Sequence, residues 1–476
     1  MRLSHAFLRA LLPVGTAVLL SACAMKQTAL QPSAEKPAAL QPTRMQPTLL
    51  QPTPLQSMPP TVPAANSGQA HSPGLLTLQP EALALTRQRL SAGDASVLPA
   101  YAALLRRADR ALITAPRSVT HKTTVPPSGD KHDYISMGPY WWPNPDTANG
   151  LPYVQRDGQR NPAVAGEALD STRLQAMLAD VRDLALAYHF SGDSRYAAQA
   201  AVVLRTWFLA PATRMNPSLR YAQAVPGVAE GRGIGLIDTR DLWWVFDALA
   251  LIEPAQTTQQ LSATEQSALR QWFVDYAQWL DTSTLGRDAA AERNNHGMFY
   301  DVQMAALWLH TGQLARARQL LADVLTKRFA AQIDTQGRLP LELARTRPFH
   351  YHTFTLEAMT RLAHYSRVLA ARTGSQPPPA DPACLRSPQP CTPNLWRAEA
   401  DGRSLGAVVA FISAAVTAPE AWPYATALER SPVLPPAVPV LLQAQRALPT
   451  PATAAALAAL QGVAPDHVAR LLWPVP

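Results

Sequence analysis

Residues 293–300 read Arg293-Asn294-Asn295-His296-Gly297-Met298-Phe299-Tyr300, near the middle of a 476-residue chain. Two amides and an imidazole stand side by side where an apolar run begins. Met298, Val302, Ala305 and Leu309 recur at three- and four-residue steps, and Thr311-Gly312 ends the pattern. The spacing predicts a helix capped by Asn294 or Asn295, with His296 in or beside its first turn. Gln313 to Phe329 is then its antiparallel partner. Two readings of the stretch are open. One is a good helix cap with a satisfied histidine. The other is a site that binds an anionic group with amide donors and moves a proton with the imidazole.

Working outward, helical periodicity recurs around 82–113, 170–190, 195–209, 240–252, 262–280 and 352–372. The run Asp183 to Tyr188, followed by Ser191-Gly192-Asp193, is a helix ending in a turn. Strand-like alternation is scarce. Many helical hairpins without a short repeat predict an all-α fold, an (α/α) toroid or incomplete helical barrel with helix pairs around a central cleft.

The N-terminus has a different composition. Arg2 and Arg9 precede a short apolar run, Ala10 to Leu20, which ends in Leu20-Ser21-Ala22-Cys23. A basic start, a short apolar stretch and small residues make a secretory signal rather than a membrane-spanning helix. The Leu-Ser-Ala-Cys ending resembles the lipobox of bacterial lipoproteins, which implies a lipidated Cys23. With Ala24 next to the cysteine, the implied location is the outer membrane, facing the periplasm or the cell surface. Beyond it Leu-Gln-Pro recurs at Leu30, Leu40 and Leu50 among Pro, Gln, Ser and Thr, a composition too poor in apolar surface to fold. The expected layout is a signal over 1–22, a lipidated tether over 23–75, a catalytic domain over 76–430 and an Ala/Pro-rich helical tail over 431–476.

The formal charge is +8, yet the arginines are dispersed and form no basic run. That argues against nucleic acid and suits a cleft for a polyanion. Cys384 and Cys391 lie close together in a Pro-rich loop, without His or Cys partners at metal-ligand spacing. In an exported chain they read as a disulfide, with no metal.

Three further stretches gather chemistry. Ser128 to Pro145 packs Lys131, His132, Tyr134, Tyr140, Trp141 and Trp142 into one Gly/Pro-rich loop, suited to sugar rings and a carboxylate. Gly231 to Arg240 carries three glycines but neither a preceding strand nor a closing Lys-Ser/Thr, so it is no phosphate loop. Within it Arg240 either pairs with Asp238 or faces the cleft as a carboxylate fork. Leu341 to His352 holds Glu342, Arg345, Arg347, His350 and Tyr351, with Pro348 placed as a first helical residue. Guanidinium groups beside a tyrosine favour its phenolate, so the Tyr351 pKa is expected to fall.

These residues fit β-elimination on a uronic acid polymer. An ionised carboxylate makes C5 a poor acid, and amide and guanidinium donors must neutralise it. A base then takes the C5 proton and an acid protonates the leaving O4. In mannuronate and glucuronate the C5 hydrogen and O4 share one face, so a single tyrosine could do both jobs. No metal or organic cofactor is required.

Asn294-Asn295-His296, the run from Glu342 to Tyr351, and the loop from Asp130 to Pro143 together resemble the alginate lyase domain family, over about residues 75–425. The resemblance implies an (α/α) toroid and a polysaccharide lyase; a monomer is expected. It makes Asn295 and Arg345 the carboxylate partners, His296 a further partner or the base, and Tyr351 the acid and also a candidate base. Lys131, His132, Tyr134, Trp141, Trp142, Arg240, Asn294, Arg347 and His350 are the expected substrate contacts. The Arg345-to-Tyr351 spacing is one residue shorter than in typical mannuronate lyases, so Arg347 competes for the arginine's role. The loop and the Gly-Leu-Ile-Asp-Thr-Arg stretch suit a related branch, so glucuronan competes with poly-mannuronate as substrate. Two other readings are a hydrolase using a pair drawn from Asp133, Asp238, Glu292 and Glu342, and a non-catalytic polysaccharide-binding lipoprotein.

Overall fold

The computed structural model describes residues 74–255, 257–374 and 392–475. The expected signal, the lipidated Cys23, the Cys384–Cys391 disulfide and all of the tether but Gly74 and Leu75 lie outside the described residues, and Leu75 is buried in the core. Those that are described belong to one compact unit, Met58–Pro476.

The unit is all-α. Its helices are α1 (Pro80–Ser91), α2 (Leu98–Ile113), α3 (Ser171–Ser191), α4 (Ser194–Leu204), α5 (Trp243–Ile252), α6 (Ala263–Thr282), α7 (Thr284–Ala291), α8 (Asn295–Thr311), α9 (Leu314–Val324), α10 (Ala330–Gln332), α11 (Pro340–Leu343), α12 (Pro348–Arg372), α13 (Leu405–Thr417), α14 (Ala437–Ala447), α15 (Pro451–Ala459) and α16 (Ala469–Leu472). The strands β1 (Ile135–Met137), β2 (Trp141–Trp142), β3 (Val154–Gln155) and β4 (Tyr221–Ala224) are short, with β1 and β4 parallel and β2 and β3 antiparallel.

Local chemistry sets the helix ends. Ser262 and Glu265 form a reciprocal capping box at the start of α6. Asn294 caps α8, and Gly312 closes it at φ +83°, where any side chain would strain the backbone. The periodic span 82–113 is two helices rather than one. Gly93 turns at φ +69°, and Asp94 accepts from the Ser96 N–H, which breaks the run between them. The helix over 284–291 has no counterpart in the periodicity, because only Gly286 and Ala289 are buried in it.

Helix pairs follow one another around a ring. α3 packs on α2, α4 and α5; α8 packs on α6, α7, α9 and α12; α12 packs on α13 and α14. The ring closes where α16 meets α1 and α2, with the Thr86 hydroxyl donating to Leu471 O at 2.6 Å and Arg446 to Pro474 O at 2.7 Å. α8 is buried nearly all round, as a helix apolar on every face must be. Phe299 meets Phe354 near the starts of α8 and α12, and Arg372 donates to Leu309 O near their ends. The two helices therefore run parallel, and both N-termini come to one side of the unit.

Burial of histidines carries a cost on acidification. Desolvation lowers the pKa of His296, His310 and His350 to about 4 and of His189, His352 and His364 to about 3. Each titrates near 6.5 when unfolded, so the unfolded chain binds more protons and stability falls as pH drops from about 6.5 through about 4. Asp170 and Asp247, pushed up to about 6 by burial, and Asp180, Asp301, Glu342 and Glu429, raised for the same reason, act in the opposite sense, while carboxylates held down by hydrogen bonds, Glu265 at about 2 among them, act with the histidines. Thermal melts across this window should show a falling midpoint. A midpoint unchanged from pH 7 to 4.5 would refute this balance.

Candidate active site

The start of α8, the α11–α12 corner and the β1–β2 loop converge at the side where the two parallel helices begin. Asn294 Oδ1 accepts from the His296 N–H at 2.9 Å, and its Nδ2 donates to Glu292 at 3.0 Å. Both ends of the side chain thus take part in the cap, and one Nδ2 hydrogen is left over. Asn295 is 1% exposed. Its backbone N–H donates to Glu342 Oε1 at 2.6 Å, and its Nδ2 lies 3.1 and 2.9 Å from the two Glu342 oxygens. A nitrogen so nearly equidistant from both oxygens directs one hydrogen between them and keeps the other for a further acceptor.

His296 places Nδ1 3.0 Å from Ile234 O. A carbonyl only accepts, so Nδ1 carries the proton and Nε2 keeps its lone pair. Burial, with the charges of Arg345 and Arg232 added, lowers its pKa to about 4, so the ring is neutral at physiological pH.

Tyr351 sits in the first turn of α12. Its hydroxyl is 2.7 Å from the Tyr140 hydroxyl and accepts from Arg345 Nη2 at 2.9 Å. The Arg345 guanidinium lies 4.0 Å from the Tyr351 ring centroid. Arg345, not Arg347, is thus the arginine that reaches the tyrosine. The expected fall in the Tyr351 pKa is overturned. Burial and the Tyr140 hydrogen bond raise it, and the Arg345 charge only partly offsets them. Tyr351 rests as a neutral phenol.

Two carboxylates hold the donors in place. Asp157 accepts from Arg345 Nη2 at 2.7 Å and Nε at 3.3 Å, which leaves Nη1 without a hydrogen-bond partner among the described residues. Glu342 is 2% exposed and anchors Asn295, its own pKa raised by burial. Replacing Glu342 with Gln removes one acceptor oxygen from the Asn295 amide. Glu342→Gln should lower kcat by about 10- to 100-fold and stability by about 1–3 kcal/mol. Activity within twofold of the parent would show that Asn295 needs no such anchor.

The loop residues divide. Tyr134 is fully buried and donates to Asp238 at 3.0 Å, so it belongs to the core and not to a sugar surface. Lys131 is exposed, and His132 Nδ1 binds Arg214 O at 2.6 Å; neither touches the Tyr351 cluster. Trp141 and Trp142 are half-buried, with Arg232 and Arg156 over their rings at 5.6 and 5.2 Å. Arg240 does not pair with Asp238. It lies 5.4 Å from the Phe354 centroid and shares a cavity wall with His350. Arg347 is half-buried beside His350, and its charge helps lower that ring's pKa. The three glycines serve close packing: a Cβ at Gly235 would lie 2.5 Å from Ala222 O.

Tyr140, Asp157, Glu342 and Arg232 are the residues at this cluster that had not been assigned to it. Tyr140, Glu342 and Arg232 stood inside the stretches singled out, but Asp157 had no local signal. The four carboxylates considered for a hydrolase all have side-chain partners. Asp133 accepts from Ser128 and Asn216, Asp238 from Tyr134, Ser136 and Gln223, Glu292 from Asn294, and Glu342 from Asn295.

The Alginate lyase family model matches residues 118–422. An alginate lyase from Bacteroides ovatus aligns with a TM-score of 0.73 at 33% identity, over 84% of this chain and 99% of that one. Alginate lyase A1-III from Sphingomonas species A1 aligns at 0.48 and 16% identity, over 86% and 100% of the two chains. A variant of A1-III complexed with tetrasaccharide aligns at 0.50 and 15%, over 86% and 99%, a likeness of fold alone. No curated protein matches the sequence.

Proposed function

Because the chain belongs to the alginate lyase family and is a polysaccharide lyase, we propose that it cleaves alginate by β-elimination at the Tyr351 cluster. The observation that carries the reading is the Tyr351 hydroxyl, held between Arg345 Nη2 at 2.9 Å and the Tyr140 hydroxyl at 2.7 Å.

The uronate carboxylate is met by the remaining Asn295 amide hydrogen and by Arg345 Nη1. Both donors are preorganised by acids, Glu342 and Asp157, so little reorganisation is needed as charge develops on the carboxylate. The N-termini of α8 and α12 add positive potential from the same side. With the carboxylate neutralised, the C5 proton moves to the lone pair of His296 Nε2. The C5–H electrons form the C4–C5 double bond, the C4–O4 bond breaks, and O4 takes the proton of Tyr351. Resting protonation supports this division: the imidazole is neutral and the phenol protonated across the physiological range. The products are a new reducing end and a 4,5-unsaturated uronate.

The test is ultraviolet absorbance during incubation with poly-mannuronate, poly-guluronate, glucuronan and hyaluronan, since only elimination forms a conjugated double bond. Rising absorbance on an alginate block is expected. A rise on glucuronan alone would reassign the substrate, and shortening of a chain without absorbance would overturn elimination.

A further inference from the structure

α12 begins without a cap of its own. Arg347 at its N-cap makes no side-chain cap bond, and Pro348 at the first helical position has no N–H. The open first turn is met from 80 residues downstream, where the Phe349 N–H donates to Glu429 Oε2 at 2.7 Å. Glu429 is 3% exposed. Burial raises its pKa, while the Phe349 and His350 N–H groups and the Arg347 charge favour its ionised form. A carboxylate is well placed at the positive end of a helix.

Glu429 closes a tight turn in the irregular segment between α13 and α14. The Thr426 N–H donates to Glu429 O at 2.7 Å, and the Glu429 N–H to Thr426 Oγ1 at 3.0 Å. The Thr426 hydroxyl donates in turn to Thr346 O at 2.7 Å. One turn therefore grips the chain on both sides of the Arg347–Pro348 junction, at Thr346 and at Phe349. Its neighbours pack it in place. Trp422 meets Phe349 edge to face at 5.5 Å, and a side chain at Gly158 would strike both Leu428 and Thr346. Arg345 precedes this grip and Tyr351 follows it, so their 2.9 Å contact depends on the angle at which the chain turns between them.

We propose that Glu429 is a positioning residue for the elimination: with Thr426 it fixes the corner between Arg345 and Tyr351, and so the alignment of guanidinium and phenol on the sugar being cleaved. This role rests on the lyase reading for its reaction, whereas the placing of Tyr351 by Glu429 stands without it. A misplacement of about 1 Å, caused by a change remote from the chemistry, can cost about 10²-fold in rate.

The experiment compares Glu429→Ala with Glu429→Gln, by absorbance kinetics on poly-mannuronate and by NMR of protein carrying carbon-13 at tyrosine Cζ. Tyr351→Phe identifies the Tyr351 resonance. Gln keeps the acceptor for Phe349 and puts its amide nitrogen where Glu429 Oε1 has no hydrogen-bond partner among the described residues. Glu429→Ala should lower kcat about tenfold or more with KM within about threefold, and shift the Tyr351 resonance. Glu429→Gln should restore kcat to within about threefold of the parent and leave the resonance in place. Ser262→Ala opens the capping box of α6, and should lower stability while leaving kcat and the resonance unchanged. Where Glu429→Ala does not fold, Thr426→Val decides: it should cost kcat about threefold and shift the same resonance. Parental kcat, an unmoved Tyr351 resonance, or a glutamine variant no better than alanine would overturn the positioning role. A wild-type enzyme that cleaves no polyuronate would sink the lyase reading instead, and the resonance would still decide whether Glu429 places Tyr351.

Discussion

Tyr351→Phe should reduce kcat by about 10²- to 10⁴-fold while leaving KM within about threefold. The substitution keeps the ring against Arg345 and removes only the hydroxyl that Tyr140 and Arg345 hold at 2.7 and 2.9 Å. In the proposed elimination that hydroxyl carries the proton for O4, so its loss should be felt in the transition state and not in binding. The expectation is sharpened by a neighbour. Tyr140→Phe removes a hydrogen bond to the acid but not the acid, and should cost about tenfold. Initial rates from absorbance on poly-mannuronate measure both. A Tyr351→Phe enzyme with parental kcat would remove Tyr351 from the chemistry, and equal losses in the two variants would make the pair, rather than Tyr351, the acid.

The second large effect is on folding. Lys122 and Asp170 have wholly buried side chains and meet at 3.0 Å. The Lys122 ammonium also donates to Val119 O and Lys131 O, each at 2.7 Å, and Asp170 accepts from the Ile135 N–H at 3.0 Å. The pair thus ties the chain on either side of Tyr134 to the start of α3, and so sets where the loop carrying Tyr140 leaves the core. Burial pulls the two groups toward neutrality, lowering the Lys122 pKa and pushing Asp170 up to about 6. Lys122→Met removes the nearer of two counter-charges and leaves the buried carboxylate with only Arg173, at 3.9 Å, so it should cost about 3 kcal/mol in urea unfolding at pH 7. Adding Asp170→Asn should recover part of the loss, because the amide buries no charge. A loss below about 1 kcal/mol, or no recovery in the double variant, would mean that the ions contribute little.

The sequence by itself determined most of the helices and the groups proposed to react, since both are written in short-range spacing. Asn294, Asn295 and His296 stand at the start of a three- and four-residue apolar repeat, and the helix begins there. Arg345 and Tyr351, six residues apart across a Pro348-initiated turn, come within 2.9 Å. What only the tertiary structure decided are the partners and the protonation states. Tyr140 reaches Tyr351 across 211 residues and Asp157 reaches Arg345 across 188, and no local pattern encodes such pairs. Tyr134 and Tyr140 share one loop, yet one is core and the other lies at the site, because packing of β1 against β4 sets which way the chain turns. The Tyr351 pKa moved opposite to its expectation for a related reason. The sequence displays the nearby arginine, but desolvation is a property of everything packed around the phenol, and it outweighs a single charge.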